Sequence, residues 1–103
     1  MNSQMRKGAI ELCVLSLIQK EDWYGYDIIK KISECFPITG DTIYPILRRL
    51  TKNQYLSTYT APSPQGPKRK YYKITSTGRT HYEELKTEWL NLTHQVFEII
   101  KED

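Results

Sequence analysis

The chain has little of what would mark a catalyst or a membrane protein. Its 103 residues include two cysteines, Cys13 and Cys35, too few for a disulfide framework. Both are expected as ordinary buried thiols in a reducing, cytoplasmic setting. No run of about 18 apolar residues occurs, so no transmembrane helix and no membrane partner are expected. The apolar N-terminal stretch carries Glu11 and lacks a small-residue cleavage site, so it reads as a folded helix and not as a signal peptide. The two histidines, His81 and His94, lie 13 residues apart, which is about 19.5 Å along a helix. They cannot share a metal within one chain and no third ligand stands near, so no metal and no cofactor are expected. A nucleophile–base–orienter set, a phosphate loop and catalytically paired carboxylates are also missing, and the chain is not expected to be an enzyme. Its length allows one core.

One sign of charge is missing over a long stretch. The net charge of +3 says little as a total. From Thr42 to Tyr82, however, there is no acidic residue, while Arg48, Arg49, Lys52, Lys68, Arg69, Lys70, Lys73 and Arg79 give a balance of +8. From Glu83 onward six acids stand against Lys86 and Lys101, a balance of −4. A single-sign stretch of this kind is the electrostatic footprint of a surface that binds a polyanion.

The apolar periodicity places the elements. Ile10, Cys13, Val14, Leu17 and Ile18 form one helical face, and Leu12 and Leu15 widen it, so this helix is expected to be central. A second helix buries Ile28, Ile29 and Ile32, with Asp22 as candidate N-cap and Pro37 as its end. Thr39 or Asp41 can cap a third helix whose buried stripe is Ile43, Ile46, Leu47 and Leu50. Pro45 falls inside it, costing up to about 3 kcal/mol in a helix interior and much less near the first turn. Tyr55–Thr60 and Lys68–Ile74 read as strands joined by the Pro/Gly-rich stretch Ala61–Pro67, a β-hairpin with Tyr72 and Ile74 on one side. Tyr24 and Tyr26 read as core residues. Thr75 can cap a last helix from about Ser76 to Lys101, with Tyr82, Leu85, Trp89, Leu92, Val96 and Ile99 spaced as a heptad seam. A plain amphipathic helix fits the same pattern.

The expected fold is therefore mainly α with a small β-hairpin. It is a winged helix-turn-helix over residues 1–75 followed by a long C-terminal dimerisation helix over 76–103. The third helix presents Thr42, Tyr44, Pro45, Arg48 and Arg49 opposite its buried stripe, a polar, basic face suited to the major groove of double-stranded DNA. Lys68, Arg69 and Lys70 in the wing are placed to reach phosphates. Leu85, Trp89, Leu92, Val96 and Ile99 are the candidate dimer seam. Dimerisation would set two recognition helices about 34 Å apart on an inverted repeat. The alternative is a winged-helix module for protein–protein contact, since fold alone does not decide function.

Several stretches also resemble the PadR family of bacterial transcriptional regulators, in its small form with a single C-terminal helix. They are Tyr24-Gly25-Tyr26-Asp27-Ile28, Thr42–Leu50, Gly66-Pro67-Lys68-Arg69-Lys70-Tyr71-Tyr72, Thr75 with Gly78, and Trp89. In this order and spacing they span residues 8–90. The resemblance implies a homodimeric repressor that releases DNA when a ligand arrives, often a phenolic acid or a planar hydrophobic compound. It implies that Tyr44 is the recognition-helix tyrosine and that Lys68, Arg69 and Lys70 are the basic wing. It further implies that Trp89 faces its symmetry mate and sandwiches a small flat aromatic ligand. From its place on the seam alone, Trp89 reads equally as packing.

Overall fold

The computed structural model describes residues 3–102. Met1, Asn2 and Asp103, which the expected segments 1–75 and 76–103 include, lie outside the described residues. The chain runs α1 (Ser3–Lys20), β1 (Trp23–Tyr24), α2 (Gly25–Ser33), α3 (Gly40–Lys52), β2 (Leu56–Ser63), β3 (Gly66–Ile74) and α4 (Ser76–Ile100). This is a winged helix-turn-helix with a long C-terminal helix, mainly helical with one small antiparallel sheet of order β1-β3-β2.

α1 is the central helix, packed against α2, α3, α4 and β3. Ile10, Val14 and Ile18 are buried, but Leu15 joins them while Cys13 and Leu17 are only half-buried. Neighbours on several sides bury Leu15, one of the two residues expected to widen the arc, while Leu12 stays half-buried. The two thiols differ from expectation as well, because Cys35 is exposed in the turn after α2. Partial burial, with a smaller contribution from Cys35, pushes the Cys13 thiol above its ordinary value.

Asp22 does not cap α2. Trp23 and Tyr24 are extended, pairing with Tyr72 and Tyr71 of β3, so the helix starts only at Gly25, with Tyr24 as an N-cap that makes no side-chain hydrogen bond. Asp22 instead accepts a 2.6 Å hydrogen bond from the Tyr59 hydroxyl. α2 stops at Ser33, ahead of Pro37, in a turn where the amides of Cys35 and Phe36 both reach the Ile32 carbonyl at 3.0 Å. Between the alternatives for α3, Thr39 is the N-cap, accepting from the Asp41 amide at 3.3 Å. The first turn is tight, with the Thr42 amide on the Thr39 carbonyl at 3.1 Å. Pro45 deprives only the carbonyl of Asp41, an exposed residue, of its helical partner, so water can take that place. Ile43, Ile46, Leu47 and Leu50 are all buried.

The end of α3 is built unusually firmly. Gln54 adopts the left-handed conformation, φ 65°, which a residue with a side chain enters at a cost of about 1 kcal/mol. There the Tyr55 amide bonds the Leu50 carbonyl at 2.9 Å and the Gln54 amide bonds the Thr51 carbonyl at 3.0 Å, the two closing bonds of a Schellman ending. The Gln54 carbonyl in turn accepts from the Thr75 and Thr77 hydroxyls of the α4 start, at 2.7 and 3.0 Å. Thr75 caps α4, its hydroxyl oxygen accepting from the Gly78 amide at 3.0 Å. Gly78 lies directly on the Tyr55 carbonyl, so close that no Cβ fits.

The hairpin is longer and its loop shorter than expected. Strand pairing continues through the proline-rich stretch, leaving only Pro64–Gln65 as the loop. β2 is an edge strand and its ladder is irregular between Ala61 and Ser63. Pro62 therefore sits where a missing N–H is tolerated. Tyr72 and Ile74 are buried and Tyr71 is on the other face. Tyr24 and Tyr26 are not core residues: Tyr24 is half-buried beside Tyr71 on the outer sheet face, and Tyr26 is exposed.

Candidate nucleic-acid interface and apolar groove

The outer face of α3 follows from the burial of its stripe. With Ile43, Ile46, Leu47 and Leu50 inward, Asp41, Tyr44, Pro45, Arg48 and Lys52 lie exposed on the opposite side and Thr42 is half-buried. Lys52 was not among the expected residues. It stands one turn beyond Arg48, a signal that the same helical arithmetic contained. The Tyr44 ring lies across Gly40, where a Cβ would come to 3.1 Å from it, and near Gly25. The absence of two side chains thus lets the ring settle between the starts of α2 and α3.

Tyr72 connects this helix to the wing. Burial is the main cause that raises its phenol above the ordinary tyrosine value. Tyr44 adds to that rise, and the nearby Arg48 guanidinium opposes it. Lys70 Nζ lies 5.6 Å from the centre of the same ring. Lys70 of the wing thus lies over the Tyr72 ring, while Arg48 of α3 acts on the same phenol through its charge. Lys68 is exposed beside them in sequence. Arg69 points to the other sheet face, where its guanidinium sits 4.8 Å over the Tyr24 ring. On that face Tyr24, Tyr71 and Tyr59 form a row across the three strands, with centroid spacings of 5.9 and 5.6 Å. The Asp22 hydrogen bond pushes the Tyr59 phenol above its ordinary value.

Arg49 is placed differently from Arg48. Its Nη2 donates to Glu11 Oε1 of α1 at 2.7 Å. Glu11 lies outside the acid-free stretch, and its partner is 38 residues away. No local pattern could reveal the pairing.

α4 leaves the core after Leu85. Tyr82 is buried and Leu85 and Trp89 are half-buried, whereas Leu92, Val96 and Ile99 are exposed. Trp89 packs on α1, its Cζ2 3.6 Å from where a Cβ on Gly8 would stand. Between the α1 N-terminal end and α4 runs an open, apolar groove of about 610 Å³, lined among others by Met5, Trp89, Leu92, Val96 and Phe97. Ile99 does not line it, whereas Phe97 and Ile100 do. Neither belongs to the heptad seam.

The geometry has relatives. The family profile described as Transcriptional regulator PadR-like family matches residues 14–84. An uncharacterised protein of Lysinibacillus sphaericus is 37% identical over 91 residues, covering 84% of each chain. Among solved structures, a Streptococcus transcriptional regulator is 35% identical with a TM-score of 0.86, covering 95% of this chain and 98% of its own. A PadR-like transcriptional regulator from Bacillus cereus is 34% identical with a TM-score of 0.86, covering 97% and 99%. No helix among the described residues is long and apolar enough to cross a membrane. With the helix-turn-helix, the wing and the C-terminal helix all present in one fold, the chain belongs to the PadR-like family of transcriptional regulators and is a regulator rather than an enzyme.

Proposed function

We propose that the protein is a homodimeric repressor that reads an inverted repeat in double-stranded DNA and is released by a small aromatic or hydrophobic ligand. The observation that carries the DNA reading is the pair of exposed cations, Arg48 on α3 and Lys70 on the wing, in a stretch without a carboxylate. Tyr44, Pro45 and Thr42 flank Arg48 on the helix, and Lys68 and Arg69 extend the wing. The helix face reads base edges and the wing holds phosphates. Arg49 stands at the edge of this face, on Glu11.

Selection from a random-sequence duplex pool is expected to enrich an inverted repeat with half-sites about one helical turn apart. Binding to it should fall steeply with salt, with a log–log slope of about −7 if roughly eight phosphates are neutralised by the two protomers. Arg48→Lys is expected to lose about tenfold on the selected duplex and much less on random DNA. An ammonium replaces the guanidinium fork as a point charge and cannot grip a guanine edge at two points. Equal losses on both duplexes would mean that Arg48 touches only phosphate. A salt-insensitive interaction, or none, would favour a protein-binding module instead.

Residues 76–103 are read as the dimerisation element because Leu92, Val96, Phe97 and Ile100, with Met5 of α1, expose a continuous apolar face. Such a face is far more common at interfaces than on monomers. Trp89 borders the groove, and a flat ligand stacked there would shift the crossing of two α4 helices, acting only through its differential affinity for the two arrangements. Trp89→Ala is expected to retain operator binding and to lose release by a planar aromatic compound that does not itself bind duplex DNA. A variant that still releases DNA on that compound would remove Trp89 from the ligand site.

A further inference from the structure

We propose that Glu11 is a positioning residue that governs how strongly Arg49 meets DNA, and that His81 sets the strength of its hold. This rests on the DNA reading above. Three helices meet at one carboxylate. From α3, Arg49 Nη2 donates to Oε1 at 2.7 Å. From α4, His81 Nε2 lies 3.9 Å from Oε2, too far for a hydrogen bond. That nitrogen is buried and has no hydrogen-bond partner among the described residues. The Glu11 side chain is 16% exposed, so water screens it only in part.

The imidazole is held in place by its other contact. Its ring is stacked on Tyr55 at 4.1 Å with an interplanar angle of 3°, and Tyr55 belongs to the junction that ends α3. The groups that face His81 are therefore Glu11 from α1, Arg49 behind that carboxylate from α3, and the Tyr55 phenol ring from the link to β2. On its own helix Glu84, one turn on, is exposed. Of these, only Glu11 is within ion-pair distance.

The chemistry of the cluster is a competition for one negative charge. With His81 neutral, Glu11 and Arg49 cancel, and a phosphate approaching Arg49 meets a pair with no net charge. An imidazole gains its proton between about pH 8 and pH 5. Once charged, its Nε2–H can close on Oε2 and supply the carboxylate with a second counterion. The cluster then carries a net positive charge, and Arg49 can turn a larger share of its fork to DNA. By linkage, DNA binding takes up a proton at His81, and affinity rises as pH falls. The sign is the same whether Arg49 leaves Glu11 or stays beside it.

The test uses the full chain and the selected duplex, with affinity measured by fluorescence anisotropy between about pH 7.5 and pH 5.5. For the wild-type protein a rise of about fivefold per protomer is expected, the scale of one partly exposed ion pair. His81→Phe keeps a flat ring for Tyr55 and is expected to abolish the rise. Glu11→Gln should bind about fivefold more tightly than wild type at the upper pH and show the same flat profile. His94→Gln should keep the wild-type slope. Circular dichroism melts verify that each variant is folded. Slopes in His81→Phe and Glu11→Gln equal to that of the wild type would overturn the proposal, as would weaker binding by Glu11→Gln at the upper pH. Tight but pH-independent binding by the wild type would overturn it while leaving the DNA reading intact. A wild type that binds no duplex at either pH would overturn both.

Discussion

Leu92→Lys combined with Val96→Lys will leave the protein monomeric and cost it about a hundredfold or more in affinity for a two-half-site duplex. Both side chains are exposed in the single chain, at 53% and 47%, and border the groove. If two α4 helices meet there, the substitutions place unpaired ammonium groups in a closing apolar contact, which is far costlier than a lost methylene. Dimer formation makes the second half-site contact intramolecular, and such linkage commonly multiplies affinity by about 10²–10⁴. Lysine is the stringent choice of charge. It places a cation one turn after Glu88, an orientation that supports the helix, and an added cation by itself strengthens non-specific DNA binding. A loss of affinity must therefore come from lost dimerisation. Sedimentation velocity reports the oligomeric state, and titration of full-site and half-site duplexes reports the coupling. A variant that remains dimeric and binds as the wild type does would show that this face of α4 is not the interface.

Gly78→Ala is expected to cost about 3 kcal/mol of stability, and its sign is informative. In an ordinary exposed helix the same change stabilises by about 1 kcal/mol. Here a methyl group would run into the carbonyl oxygen of Tyr55 and lie 2.8 Å from Ile74 Cγ1. The carbonyl belongs to the backbone and cannot swing aside. The first turn of α4 must retreat, stretching the hydroxyl bonds from Thr75 and Thr77 to Gln54. For a chain of this size a loss of that order lowers Tm by roughly 15 °C. Melts should be run at several protein concentrations, because dimerisation would itself move the midpoint. A Tm within about 2 °C of wild type would mean that the junction relaxes freely.

What could be read from the sequence was what local periodicity encodes. The stripe Ile43, Ile46, Leu47 and Leu50 faces inward as its spacing requires. Thr39 and Thr75 cap the helices they precede. Tyr72 and Ile74 alternate inward along a strand. The features that sequence did not convey each depend on a distant partner. Trp23–Tyr24 is too short to show a period and becomes β1 only because β3 offers an edge. Asp22 is then taken by Tyr59 instead of capping α2. The prolines of the wing suggest a long loop, but Pro62 sits in an irregular edge strand, Pro64 in the two-residue loop and Pro67 at the start of β3. At the candidate interface, Tyr44, Pro45, Arg48, Lys68 and Lys70 stand exposed where the pattern put them. Arg69 stacks on Tyr24, and Arg49 meets a carboxylate from a helix its own neighbourhood does not mention.

The junction around Gln54 limits how a signal can travel. The last turn of α3 and the first turn of α4 share carbonyls, hydroxyls and a glycine contact, leaving neither helix free to pivot on the other inside one chain. If two copies pair through α4, each protomer behaves like one arm of a pair of callipers, its tip the proposed recognition helix α3 and its handle α4. The gap between the tips then widens or narrows by motion at the rivet, where the handles cross. A compound that loosens DNA binding need not deform the reading head at all. The operator-bound and released forms should superpose closely protomer by protomer and differ in the angle between the two copies.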